Sequence, residues 1–349
     1  MSDDIHIRIE GRAGRITLTR PKALNALGHD MCLAVENALD AWADDDAVAL
    51  VIIGGAGDKA FCAGGDIQKL YDTGRAGDFE YGRRFWRDEY RLNAKIVEYP
   101  KPYISFLHGF TMGGGVGIGC HGSHRIICES SQIAMPECSI GLVPDVGGSL
   151  LLARAPGHLG EYLGLTGARM EPGDAIHAGF ADHYIPAAHW PGLVEALCTT
   201  GDVEAALTPM GETPPQGPLR AAQADIDMLF GAGTLPGILD ALRSQSGELA
   251  QQALEKIARN APLSMACTVE MLRRLRAESA GIRAALAQEY RFTARAMESG
   301  DFLEGIRAQI IDRDRQPRWR HTLDTLPADA ADTMLAPLGE HELTFATGG

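Results

Sequence analysis

Apolar residues alternate with polar ones at Ile5, Ile7 and Ile9, and the alternation resumes at Ile16 and Leu18 after the turn Gly11-Arg-Ala-Gly14. A period of two on both sides of a glycine-bearing turn predicts a β-hairpin. Residues 48–53 form a continuous apolar run bounded by Gly54-Gly55, which predicts a strand buried on both faces. Between these segments, Met31, Val35, Ala38 and Trp42 recur at helical spacing on one face. A further strand is predicted over residues 103–107, leading into a glycine-rich segment and a helix. Ile126-Ile127 and residues 133–135 predict two more short strands.

Strands followed by helices, repeated along the chain, predict an α/β fold. The character changes after about residue 205. Residues 208–218 are rich in Pro, Gly and Thr and read as a linker. From 223 to 312 helical patterns dominate, among them Met271, Leu272, Leu275 and Ile282, Leu286, Tyr290. The expected organisation is a core over 1–207, a helical domain over 219–325 and an aperiodic, loosely packed tail over 326–349.

The chain has 349 residues, of which 45% are hydrophobic and 22% charged, as expected of a globular enzyme and not of a disordered protein. Its formal net charge of -14 argues against nucleic acid or an anionic membrane as partner. No apolar run approaches the roughly 18 residues of a membrane span. The start Met-Ser-Asp-Asp-Ile is too acidic for a transit peptide and lacks a signal peptide's apolar segment, so a cytoplasmic location is expected. Seven scattered cysteines without a C-x-x-C motif fit reduced thiols. His121-x-x-His124 has no third ligand at a recognisable spacing, so no metal site is expected.

The candidate chemistry lies in Ser131-Gln-Ile-Ala-Met-Pro-Glu-Cys-Ser-Ile-Gly-Leu-Val-Pro-Asp-Val-Gly-Gly148. Two carboxylates, Glu137 and Asp145, each directly follow a proline, which points to loop or strand-end backbone. Acids held in an apolar, turn-rich setting can serve as general acid, general base or nucleophile, although acids near turns are often solvated caps. Upstream, Phe61-Cys-Ala-Gly-Gly-Asp-Ile67 and Thr111-Met-Gly-Gly-Gly-Val-Gly-Ile-Gly119 each follow a strand. Glycines there let backbone approach a ligand, and two such loops could each supply one N–H to an oxyanion. The same glycines could instead serve helix–strand packing alone. Gly117-Ile-Gly-Cys-His-Gly122 also satisfies G-x-G-x-x-G, but it sits too far after the strand for a dinucleotide turn.

The motifs Phe-Cys-Ala-Gly-Gly-Asp-Ile, Met-Gly-Gly-Gly-Val-Gly and Met-Pro-Glu…Gly-Leu-Val-Pro-Asp-Val-Gly-Gly, in this order, resemble the enoyl-CoA hydratase/isomerase (crotonase) superfamily. The likeness spans about residues 5–320 and includes Arg20-Pro-Lys-Ala-Leu-Asn-Ala-Leu27. Pro144-Asp145-Val146 and the ending Asp312-x-Asp314-x-x-Pro-x-Trp319 are similar to its 3-hydroxyisobutyryl-CoA hydrolase branch. The resemblance implies a spiral of β-β-α repeats with a C-terminal helical domain that covers the site or makes subunit contacts in a homo-oligomer. It implies an acyl-CoA substrate and no cofactor beyond the CoA that the substrate carries.

By the same resemblance, the oxyanion donors are the N–H groups of Gly65 and Gly114, and Glu137 is the acid shared across the superfamily. Hydratases carry a second glutamate at the position of Gly117, which is missing here. Asp145 stands where hydratases have glycine and hydrolases have aspartate. Glu89 matches a substrate-contacting glutamate of the hydrolases; taken alone, it is an acid on an amphipathic helix and reads as solvated. CoA is expected along Lys22, Ala23 and Leu24, with Gly64, Asp66 and Ile67 also near the substrate. Glu137 would attack the thioester or activate water; Asp145 would orient the water, contact the 3-hydroxyl or protonate the leaving thiolate. A hydratase or isomerase on the same fold, and a noncatalytic CoA-binding scaffold, are the competing expectations.

Overall fold

Ile5–Glu10 (β1) and Ala13–Leu18 (β2) form the hairpin, with Ile5 opposite Leu18 and Glu10 opposite Ala13. The continuous apolar run becomes Leu50–Gly55 (β3), whose first four residues are all buried. It runs parallel to β2 on one side and to Tyr103–Leu107 (β5), all five residues buried, on the other. Burial on both faces explains why these two strands read as uninterrupted apolar segments. The computed structural model describes residues 3–345, and its contacts divide them into two compact units.

The first unit takes in residues up to Gly65, Leu92–Ala134 and Met170–Pro218. Its larger sheet adds His124–Ile127 (β7) and His183–Tyr184 (β9), in the order β1-β2-β3-β5-β7-β9. Its smaller sheet joins Ala60–Cys62 (β4), Phe110–Met112 (β6) and Gln132–Ala134 (β8), all parallel. The chain therefore repeats one step: a strand of the large sheet, a strand of the small sheet, then a helix or turn. β3 and β4 lead to helix Ile67–Arg75, β5 and β6 to helix Gly114–Gly119, and β7 and β8 to the 3-10 turn Glu137–Ile140. This is the expected spiral of β-β-α repeats. Leu50, Ile52, Ile104, Phe106 and Ile126 pack with Leu193 and Leu197 as its core. Each such side chain, fully buried, contributes roughly 1.5–3 kcal/mol.

The second unit takes in Asp66–Arg91, Met135–Arg169 and the described residues from Leu219 onward. The expected helical periodicity appears in Pro262–Ala277, which buries Met271, Leu272 and Leu275, and in Ile282–Ser299, which buries Ile282, Leu286 and Tyr290. Of the tail expected over 326–349, residues 346–349 lie outside the described residues, and the described part is anchored more than its aperiodic sequence suggests. Met334, Leu335 and Leu343 are buried, Asp332 pairs with Arg274 at 2.7 Å, and Glu342 pairs with Arg291 at 2.5 Å. A short helix and irregular turns carry these anchors, so no periodicity announced them.

Candidate active site

In the first unit, the two glycine loops leave the ends of neighbouring parallel strands, because Cys62 on β4 is in register with Thr111 on β6. Gly113 caps the following helix at φ 48°, a backbone region that glycine enters without strain. Val116 is the first residue whose N–H bonds back to the Gly113 carbonyl, at 2.7 Å. Gly114, the first helical residue, therefore has an N–H with no intrahelical acceptor. Gly65 ends the other loop, bridged to Leu27, whose N–H bonds the Gly64 carbonyl at 2.9 Å. Gly117 and Gly119 are buried within the helix and not at a strand-to-helix turn, so the G-x-G-x-x-G match carries no dinucleotide geometry.

Close approach is needed one residue beyond Gly114. A methyl at position 115 would overlap the Cys62 backbone carbonyl, an obstacle that cannot rotate away. Gly115→Ala is expected to push the helix off β4, lowering the melting temperature and any turnover at these loops together. Wild-type melting and turnover in this variant would show that the two loops do not depend on that contact.

The 20–27 loop lies against the same glycines, since Leu24 accepts from the Ala63 N–H at 3.0 Å. Leu24 and Asn25 both have positive φ, at 51° and 56°. Asn25, fully buried, holds this shape: its Oδ1 accepts from the Arg20 N–H at 3.0 Å, and its Nδ2 donates to the Ala56 and Ala60 carbonyls at 2.9 Å each. Lys22 and Ala23 are left exposed on the turn Pro21–Ala23. Asn25 was not singled out from the sequence, although asparagine tolerates left-handed backbone better than most residues.

In the second unit the structure brings together Glu89, Glu137 and Asp145, which are 2%, 4% and 4% exposed. Glu137 opens the 3-10 turn after Pro136, Asp145 sits in the loop after Pro144, and Glu89 projects from helix Phe79–Val97. Burial of Glu89 overturns its reading as a solvated helix acid: its helix buries this face, with Tyr90 beside it fully enclosed. Two residues not anticipated from the sequence complete the group. Tyr90 donates its hydroxyl to Asp145 Oδ2 at 2.6 Å. Glu289 accepts from the Gly147 N–H at 2.8 Å, the Ser149 N–H at 3.1 Å and the Ser149 hydroxyl. Asp66 and Ile67 open this unit as the cap and first residue of helix Ile67–Arg75.

Burial raises the proton affinity of all four acids, and no lysine or arginine contributes to offset it. Desolvation, then the charge of Asp145, pushes Glu89 and Glu137 well above the usual carboxylate range. Desolvation lifts Asp145 to about 7, opposed by the hydrogen bond from Tyr90. Glu289 rises to about 8, its three donors opposing burial. Glu89 Oε1 and Glu137 Oε2 are buried and have no hydrogen-bond partner among the described residues. Carboxyls tuned toward neutrality, with unpaired oxygens, are suited to proton transfer.

A spiral of strand-strand-helix repeats, with glycine loops ending two adjacent parallel strands and a set of buried carboxyls, defines a protein of the crotonase fold. The enoyl-CoA hydratase/isomerase family model matches residues 13–335, and the chain belongs to that family. It is 38% identical over 344 residues to the mitochondrial 3-hydroxyisobutyryl-CoA hydrolase of Xenopus tropicalis, covering 95% of this chain and 89% of that protein. A crystal structure described as an enoyl-CoA hydratase from Rhodobacter sphaeroides superposes with a TM-score of 0.93 at 54% identity, covering 98% of this chain and 99% of that one. One described as a carnitinyl-CoA dehydratase from Mycobacterium thermoresistibile also gives a TM-score of 0.93, at 42% identity over 99% of both chains.

Proposed function

We propose that this protein hydrolyses a small 3-hydroxyacyl-CoA thioester, foremost 3-hydroxyisobutyryl-CoA, to the free hydroxy acid and CoA, as in valine breakdown. The observation that carries this reading is the enclosed position of Asp145, coupled through its charge to Glu137. Position 117, where the hydratase resemblance would put a second glutamate, is a buried glycine instead. The name of the Xenopus relative points the same way.

In this reading Gly65 and Gly114 donate their N–H groups to the thioester oxygen as it gains charge, while Lys22, Ala23 and Leu24 meet the CoA. Removing one donor from such a hole typically costs about 3–4 kcal/mol of transition-state stabilisation. Two carboxyls that cannot both ionise easily share one proton near neutrality, and that proton belongs to the pair. The ionised member takes the proton of the attacking water, or attacks the carbonyl itself to form an anhydride that water then opens; the protonated member returns a proton to the departing sulfur. One water is consumed, and one acid and one thiol are formed. No cofactor enters. In a chain of net charge -14 the exposed Lys22 is the local base available to a CoA phosphate; the named hydrolase relatives are mitochondrial, and a cytoplasmic location is part of this proposal.

Thiol release from a panel of acyl-CoA thioesters tests the substrate, with 3-hydroxyisobutyryl-CoA expected to be the best. The rate should rise with pH through an ionisation near 7, where Asp145 loses its proton, and fall again at higher pH as the pair loses its second. The rival reading is enoyl-CoA hydration, favoured by the description of the Rhodobacter structure. Loss of crotonyl-CoA absorbance without thiol release would decide for it.

A further inference from the structure

Among the described hydrogen bonds, Asp145 accepts from one side-chain donor, the Tyr90 hydroxyl, and that donor cannot swing away. Tyr90 is fully buried, its hydroxyl lies 2.6 Å from Asp145 Oδ2, and its ring meets Tyr290 edge-on at 6.4 Å and 82°. Tyr290 is itself held, accepting from Arg87 Nη2 at 3.0 Å. A fully buried phenol packed edge-on against a held ring keeps its hydroxyl at one point in space.

We propose that Tyr90 is the positioning residue of the proposed hydrolysis, fixing one oxygen of Asp145 by a permanent hydrogen bond so that the other oxygen faces the chemistry in ionised form. This inference rests on the hydrolase reading above. The groups that face Asp145 are all neutral donors or acids: Glu89 and Tyr90 from helix Phe79–Val97, Glu137 from the 3-10 turn and Glu289 from helix Ile282–Ser299. With three acids around it and no cation, Asp145 is kept ionisable near neutrality by its donors, the Tyr90 hydroxyl first and a backbone N–H after it. Burial and the charges of Asp145 and Glu289 push the phenol itself well above its ordinary value, so it keeps its proton and stays a donor throughout the working range. A hydrogen bond from a neutral donor to a carboxylate stabilises the charged form selectively, because the protonated acid is the weaker acceptor.

Tyr90→Phe removes one oxygen and nothing else, so the ring packing on Tyr290 survives. The acid limb of the thiol-release profile is expected to move up by about one pH unit, with roughly tenfold lower activity at pH 6 and a much smaller loss at the optimum. The same shift should appear in a carbon-13 NMR titration of labelled aspartate carboxyls, with the Asp145 signal identified by its loss in Asp145→Asn. In the Asp145→Asn background, Tyr90→Phe should change kcat no further. A purely structural tyrosine would lower activity equally at every pH, leave the Asp145 titration in place and add its loss to that of Asp145→Asn; this result overturns the proposal. If Tyr90→Phe fails to fold, Thr293→Val supplies a second reading, since Thr293 shares a hydrogen bond with the phenol and its loss should shift the same titration without touching Asp145. The NMR titration is independent of turnover. A protein that releases no thiol but shows the shift would refute the hydrolase reading and leave the Tyr90–Asp145 coupling standing.

Discussion

Glu137→Gln is expected to lower thiol release from 3-hydroxyisobutyryl-CoA by about a thousandfold or more, the range for losing a positioned acid–base group or nucleophile. Glutamine fills the same volume and hydrogen-bonds in the same plane, but it neither attacks a thioester nor exchanges a proton at neutral pH. Folding should be spared or improved. The side chain is 4% exposed, its Oε2 has no partner among the described residues, and burial already penalises its charge. Replacing a buried carboxyl whose ionisation is so penalised by a neutral amide of the same volume lets the variant melt at or near the wild-type temperature. With CoA along the Lys22 loop, as proposed above, CoA affinity should change little. Steady-state kinetics, a melting curve and a CoA binding isotherm separate these outcomes. Full turnover in Glu137→Gln would remove this residue from the chemistry, whereas a collapse of stability would show it to be a structural acid.

The strands were legible in the sequence because burial on one or two faces writes itself directly into a period of two or a continuous run. β1 and β2 alternate; β3 and β5 do not. The glycine loops were legible for a similar reason, as each follows a buried strand and leads into a helix. The acid site was legible only in part. Glu137 and Asp145 stood out through their prolines and through the family resemblance, but Glu89 on its own looked like one more surface acid on an amphipathic helix. Its burial depends on which face that helix turns inward, and the local charges do not say. Glu289 was harder still, because its partners Gly147 and Ser149 lie about 140 residues earlier in the chain. A signal was nonetheless present. Positions 282, 285, 286, 289, 290 and 293 form one buried stripe of the last long helix, and a glutamate within such a stripe demands partners. The grouping of 66–91 and 135–169 with the residues after 219 was likewise beyond local pattern, since contacts between distant segments leave no periodic trace.

Glu289→Ala is expected to produce the largest loss of stability among single changes at the site, about 3 kcal/mol in chemical denaturation. Two opposed effects decide the sign. Removing a buried carboxyl that burial pushes up to about 8 relieves a desolvation cost. Against this, the Gly147 N–H, the Ser149 N–H and the Ser149 hydroxyl all lose their acceptor in a fully enclosed place, and each buried unsatisfied donor costs roughly 1–3 kcal/mol. Three lost partners outweigh one relieved charge. The backbone makes the loss worse, because Val146 stands at φ 54° and Gly147 at φ 78°, and a non-glycine residue holds that region only when its surroundings enforce it. The pH dependence gives an independent check. A carboxyl whose folded value lies above its unfolded one contributes stability that is fully present in acid and is lost as pH rises from about 4.5 toward 8. Wild-type stability should therefore decline across that window, and Glu289→Ala should decline less. Because Asp145 lies on the same strained loop, the variant should also lose turnover more than its remaining folded fraction explains. Equal stability of the two proteins at pH 7 would mean that the loop holds its own shape and that Glu289 merely rests against it.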